Sequence, residues 1–135
     1  PQKRMLARDG DRVVGHIGIE HRVIGLGVAP AEIVGLIEVV VEANYRQQGI
    51  ASRMLSMILE EYGRETVEFA MLFADDGRLY EKHGFSFRSN SLTWLRLHEH
   101  QNYGIAEELV PELMIKELSN RKWTDERVDL LGYLF

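Results

Sequence analysis

Residues 5–7 are apolar and 12–24 are rich in β-branched residues, and both read as strands, with Arg8-Asp9-Gly10-Asp11 between them. Asp-Gly readily supplies the positive φ of a tight turn, so the chain is expected to open with an antiparallel hairpin. A glycine-rich connection, residues 25–30, leads into positions 32–42, where β-branched residues dominate and apolar positions fall on both faces, as in a central strand. At residue 50 the period changes. Ile50, Met54, Ile58 and Tyr62 recur at four-residue steps with Leu55 and Leu59 beside them, while Ser52, Arg53, Ser56 and Glu60 fall off that face. This pattern predicts an amphipathic helix, with Gly63 as a left-handed cap. Positions 66–73 then alternate through Val67, Phe69, Met71 and Phe73, and a strand, helix, strand unit implies that its two strands run parallel.

Further on, Asp75 or Asp76 is expected to cap a short helix over 77–83 that Gly84 ends, and 85–87 and 92–97 read as strand material. Residues 113–118 read as the last strand, reached through a polar stretch, 98–108, that forms a loop or a short helix. The tail, 128–135, is apolar enough to dock on something. The 135 residues, 45% hydrophobic and 27% charged, suffice for one core, so a single domain over 1–135 with an α/β (α+β mixed-sheet) fold is expected. Apolar runs such as 33–37 and 39–41, separated by Glu38, are too short to cross a bilayer. The chain has no cysteine, which excludes disulfides and thiolate chemistry, and no basic, apolar leader is visible, which points to a cytoplasmic setting. A net charge of -5 disfavours nucleic acid and mildly favours cationic small molecules. His98-Glu99-His100 would need further ligands from elsewhere, so no metal site is expected.

The segment Asn44-Tyr45-Arg46-Gln47-Gln48-Gly49-Ile50-Ala51 joins the central strand to the amphipathic helix. Free amides in a helix's first turn and the helix dipole together attract a phosphate, Gly49 and Ala51 keep bulk out of its path, and Arg46 adds a full charge. A tight structural turn is the bland alternative for so short a pattern. Leu79-Tyr80-Glu81-Lys82-His83-Gly84-Phe85 follows at a fixed interval. In that order the two segments resemble the GNAT superfamily of N-acetyltransferases, whose Gln/Arg-x-x-Gly-x-Gly/Ala loop holds the coenzyme A pyrophosphate and whose later Leu-Tyr-Glu-Lys-x-Gly-Phe-like segment carries a catalytic tyrosine. The resemblance covers roughly residues 5–87, and the part over 16–51 is similar to nodulation-type acyltransferases and aminoglycoside N-acetyltransferases. It implies a GNAT-like acyl-CoA N-acyltransferase fold with acetyl-CoA as cosubstrate and no metal. Val39, Val40 and Val41 would offer main-chain hydrogen bonds to the pantetheine arm. The amides of Gln48, Gly49, Ile50 and Ala51, with Gln47 beside them and Arg46 at the rim, would hold the pyrophosphate. Tyr80 would protonate the departing thiolate.

Transfer to an amine also needs a proton acceptor. Glu38, inside the central strand, is the first candidate, because partial burial would raise its pKa. Glu20, His21 and Glu42 stand in reserve, and a water chain or an already neutral amine would do without any of them. The sequence departs from the family at Phe73, where many members carry Asn, and at Asp76, where Ala is usual. It also begins at what should be the second strand, without the first strand and helix pair that form one wall of the acceptor site. Trp123, Asp125, Glu126 and residues 128–135 are left to fold over that cleft or to form a homodimer contact. The expected activity is direct acetyl transfer from acetyl-CoA to a primary amine of a small, cationic substrate, with no nucleic-acid or membrane partner. The alternative is a noncatalytic acyl-CoA-binding or dimerisation module, or a truncated acetyltransferase fragment.

Overall fold

The computed structural model describes residues 1–99 and 101–135. Among the described residues one mixed sheet carries nine strands: β1 (Lys3–Asp9), β2 (Arg12–Leu26), β3 (Ala29–Val41), β4 (Phe69–Phe73), β5 (Ser86–Phe87), β6 (Ser91–His98), β7 (Gln101–Leu109), β8 (Leu113–Glu117) and β9 (Val128–Tyr133). They lie in the order β5-β8-β4-β3-β2-β9-β6-β7, with β1 paired to β2 off that path. Two helices, α1 (Ile50–Gly63) and α2 (Arg78–Glu81), complete the fold, and neither is long and apolar enough to cross a membrane.

The opening hairpin forms as expected, with Gly10 at φ 60 in its turn. The second connection is tighter than the expected glycine-rich stretch. β2 continues to Leu26 and β3 begins at Ala29, leaving two turn residues, of which Gly27 takes φ 62. β3 pairs antiparallel with β2 and parallel with β4, and it sets Val34 and Leu36 in one apolar cluster and Ala31 and Ile33 in another, which is why both its faces are apolar.

Three other expectations are corrected. Gly63 lies inside α1 and has no positive φ; the helix closes when the Arg64 amide donates to the carbonyls of Glu61 and Tyr62. The polar stretch 98–108 is mostly strand β7, paired antiparallel with β6, and an exposed hairpin face needs no continuous apolar run. Residues 113–118 do not form the last strand: β9 follows, and it wedges between β2 and β6. His100 of the His98-Glu99-His100 triplet lies outside the described residues.

Two apolar clusters flank the sheet. On one face Met54, Leu55, Ile58, Leu59 and Tyr62 of α1 pack on Ile17, Ile19, Val34, Leu36, Ala70 and Leu72. On the other, Ile24, Ile33, Phe69 and Met71 meet Leu92, Trp94, Trp123, Val128 and Leu130. Asn90, 1% exposed, fastens the second cluster by donating from Nδ2 to the carbonyls of Thr124 and Glu126 and accepting from Trp123 Nε1 at 2.9 Å.

Candidate functional site

β3 and β4 are paired only at Ile33–Phe69, Val34–Ala70 and Gly35–Met71. Beyond that point β3 runs on to Val41, and a cavity of about 360 Å³ opens between the strands, lined by Leu36, Glu38, Val39, Leu72, Phe73, Tyr80 and Phe135 among others. A bulge in β3 accompanies the splay. Gly18 pairs with Ile37 and His16 with Val40, so Ile17 faces two residues, Glu38 and Val39, and Glu38 takes φ 50.

The phase of the ladder decides where the valines point their main chain. Glu42 N donates to Val14 O at 2.8 Å, and hydrogen-bonded pairs alternate along an antiparallel ladder. Val40 therefore turns its N–H and C=O toward β2, while those of Val39 and Val41 face the gap. The carbonyl of Val41 already accepts from Arg46 Nε at 2.9 Å.

At the far end of the gap a short 3-10 turn, Ala43–Tyr45, leads to Gln47 at φ 62 and Gly49 at φ 79, the residue preceding α1. No side chain caps the helix, and its first i to i-4 bond runs from Arg53 N to Gly49 O at 3.0 Å. The amides of Ile50, Ala51 and Ser52 thus have no partner within the helix. They border a hollow of about 360 Å³ shared by Val41, Arg46, Gln47, Gly49, Leu79 of α2 and Lys82 just after it. Gln48 is not part of this hollow, and its side chain turns back to Asn44 O at 3.5 Å. Lys82, a second cation facing the turn, was visible in the sequence only as part of the later motif.

Ser52 Oγ and His83 Nε2, 2.7 Å apart, tie this helix end to the segment that carries Tyr80. Burial, then Lys116, pushes the His83 imidazole below its ordinary range. Gly84, at φ 89, ends the segment as expected. The residue preceding α2 is Gly77 and contributes no side-chain cap, but Asp76 Oδ1 accepts from Arg78 N at 3.0 Å, so the expected carboxylate sits just before the helix.

Tyr80 is half-buried, its ring edge-on to Phe85 at 6.2 Å, and burial pushes its phenol above the ordinary value of 10. The hydroxyl therefore holds its proton at neutral pH, and among the described residues no hydrogen bond engages it. Glu38 departs from expectation. Its side chain is 57% exposed and lies 3.8 Å from Arg4 Nη1, not partly buried in the strand. Of the reserve candidates, Glu42 is ion-paired with Arg12 and His21 with Glu32 at 2.7 Å. Glu20 is buried at 5% exposure, 3.6 Å from Arg22 Nε.

The C-terminal tail, read from the sequence as folding over the cleft or forming a homodimer contact, lines the cavity between β3 and β4 through Phe135. Phe135 meets Phe73 edge-on at 5.4 Å and lies over Gly35, where an added Cβ would fall 2.8 Å from its ring. Arg22 holds this tail, donating to Tyr133 O at 2.8 Å and stacking on the rings of Tyr133 and Phe135 at 4.6 and 5.0 Å. The sequence signal was the apolar tail itself; its docking place carried none.

This arrangement, a strand gap with free helix amides at one end and a half-buried phenol at the other, belongs to a known class. Residues 1–88 match the family model described as an acetyltransferase (GNAT) domain, and the chain belongs to that family. A GCN5-related N-acetyltransferase from Kribbella flavida superposes with a TM-score of 0.56 at 24% identity, covering 61% of this chain and 21% of that one. A GNAT family N-acetyltransferase from Escherichia coli in complex with CoA gives 0.63 at 16% identity, covering 90% and 62%. A GNAT family acetyltransferase from Brucella melitensis in complex with acetyl-CoA gives 0.53 at 24%, covering 62% and 52%. At these identities the likeness is one of fold, and the chain spans about a fifth of the Kribbella flavida protein's length. No curated protein matches in sequence.

Proposed function

We propose that these 135 residues act as one acetyl-CoA-dependent N-acetyltransferase domain that transfers acetyl directly to a primary amine of a small, cationic substrate. The observation that carries this reading is the union of the two ends. The uncapped amides of α1 border one hollow and the half-buried Tyr80 lines another, and the two follow each other along the same edge of β3, at Val41 and at Val39.

The residues of the turn fit a pyrophosphate, since three unpaired amides, Arg46 and Lys82 converge on a hollow that no side chain fills. Acetyl-CoA, when bound, supplies an activated thioester. Val39 N–H is directed into the gap and is available to a developing oxyanion, and Tyr80 holds a proton for a leaving thiolate. Glu38, Asp75 and Asp76 line the acceptor end, the first and last each beside an exposed arginine, and an amine cation that replaces either arginine would find a carboxylate there.

Calorimetric titration with acetyl-CoA, with dephospho-CoA and ATP as controls, tests the reading. One saturable site is expected, with Tyr80→Phe binding normally and releasing CoA at least roughly 100-fold more slowly. Folded protein that does not bind acetyl-CoA would overturn it. A second reading, acyl-CoA binding without turnover, is favoured by the exposure of Glu38; it predicts binding but no amine-dependent CoA release.

A further inference from the structure

His16 stands on β2 at the bulge. Its Nδ1 lies 2.8 Å from the main-chain carbonyl of Glu38, and its Nε2 lies 2.9 Å from Arg4 Nη1. A carbonyl only accepts and a guanidinium only donates, so a single protonation state satisfies both contacts. In that arrangement Nδ1 carries the proton and donates to the Glu38 carbonyl, and the Nε2 lone pair accepts from Arg4. An imidazolium would turn a second N–H against the donors of Arg4.

The direction of the side chain follows from alternation along β2. Gly15 faces α1, because an added Cβ there would meet Met54 Sδ at 3.1 Å. His16 therefore points to the opposite face, which also carries Arg22 and Phe135. Tyr80 packs with the α1 cluster. Proton donor and imidazole thus lie on opposite faces of the sheet, and the imidazole approaches the cavity rim at Glu38, whose carboxylate is 4.0 Å from Nε2.

We propose that His16, rather than Glu38, accepts the proton of the acceptor amine, with the Glu38 carbonyl fixing the productive tautomer. This rests on the acetyltransferase reading. As nitrogen bonds to the acyl carbon, its proton passes to His16 Nε2, directly or through one water. The C–S bond breaks, the sulfur takes the Tyr80 proton, and solvent reprotonates Tyr80 and relieves His16. The charged groups facing the ring are Arg4 from β1 and Glu38 from β3, whose carboxylate is 4.0 Å from Nε2. Arg4, 54% exposed, can swing aside at little cost, leaving Glu38 to meet the imidazolium.

A substitution separates this role from that of a mere prop for the bulge. His16→Asn keeps an N–H donor for the Glu38 carbonyl but has no basic nitrogen. Putrescine and phenethylamine serve as acceptor probes. The expected result is a loss of roughly 100-fold in kcat/KM for the amine, with acetyl-CoA affinity unchanged, and partial recovery of His16→Ala by added imidazole. Nitrogen-15 NMR of histidine in the free protein should show Nδ1 protonated and Nε2 bare. The opposite tautomer, or an Asn variant as fast as wild type, would overturn the inference while leaving the acetyltransferase reading intact. Acetyl-CoA binding without turnover of either amine overturns the inference and favours the binding-only reading; no acetyl-CoA binding by wild type removes both.

Discussion

The two ends of the strand gap are built from different materials. At the phosphate end the work falls to main chain: amides of consecutive residues at the start of α1, freed by two positive φ angles and by the lack of a side-chain cap. At the acceptor end it falls to side chains brought together from far apart, with Phe135 laid over Gly35 and held by Arg22. A main-chain site can be written in a few adjacent residues. A side-chain site needs the whole fold before its members meet, and it can change one member at a time.

The sharpest way to break this contrast is Gly49→Glu. Nothing lies within 4 Å of a Cβ built there, so the fold tolerates the side chain apart from the strain of φ 79, about 1 kcal/mol. The carboxylate would nevertheless project beside the free amides. Acetyl-CoA affinity should fall at least about 100-fold, or roughly 3 kcal/mol, by calorimetry. Gly49→Ala, which carries the strain without the charge, should bind within about tenfold of wild type. Equal losses in the two variants would mean that backbone shape, not the anion site, was damaged.

The corresponding test at the other end is Gly35→Ala. Its Cβ would fall 2.8 Å from the Phe135 ring, so the ring must leave or the strand must yield, at a cost of about 1–3 kcal/mol. The midpoint of thermal unfolding should drop, amine kcat/KM should change, and acetyl-CoA affinity should hold. Adding Phe135→Ala should restore most of the lost stability, giving a positive coupling in the double-mutant cycle. Independent, additive losses would show that the tail does not pack on Gly35 in solution.

The same contrast explains what could be read from the sequence. The four-residue step of α1, the Asp-Gly hairpin and the parallel β3 and β4 are local patterns, and the phosphate turn is local too. β7 was hidden because its strand signal is Tyr103, Ile105 and Leu109 on an exposed face, broken by Gln101, Glu107 and Glu108. The Gly63 cap failed because a glycine at the end of an apolar stripe does not require positive φ when the next amides close the turn. Glu38 could be placed in the central strand, but the bulge that exposes it depends on the register with β2. His16 and Phe135 gave no sign of their surroundings, since the partners that define them are 22 and 100 residues away.

The smallest expected effect lies between the two ends, at the start of α2. The Asp76 carboxyl accepts from the Arg78 side chain at 2.6 Å and from its main-chain N–H at 3.0 Å, which lowers its pKa from 3.8 to about 2. A carboxyl depressed by folding contributes stability above its unfolded pKa and loses it as pH falls through the folded one, so the window is about pH 4 to 2. The pair is exposed, so its main consequence is local: the turn that leads to Tyr80 should loosen across that window before the sheet does. NMR titration should show the Asp76 carboxyl inflecting near 2, and Arg78→Ala should return it toward 3.8. Salt at half-molar strength should move it part of the way, because exposed charges are screened. A wild-type inflection in the ordinary carboxylate range would show that the pair does not persist in solution.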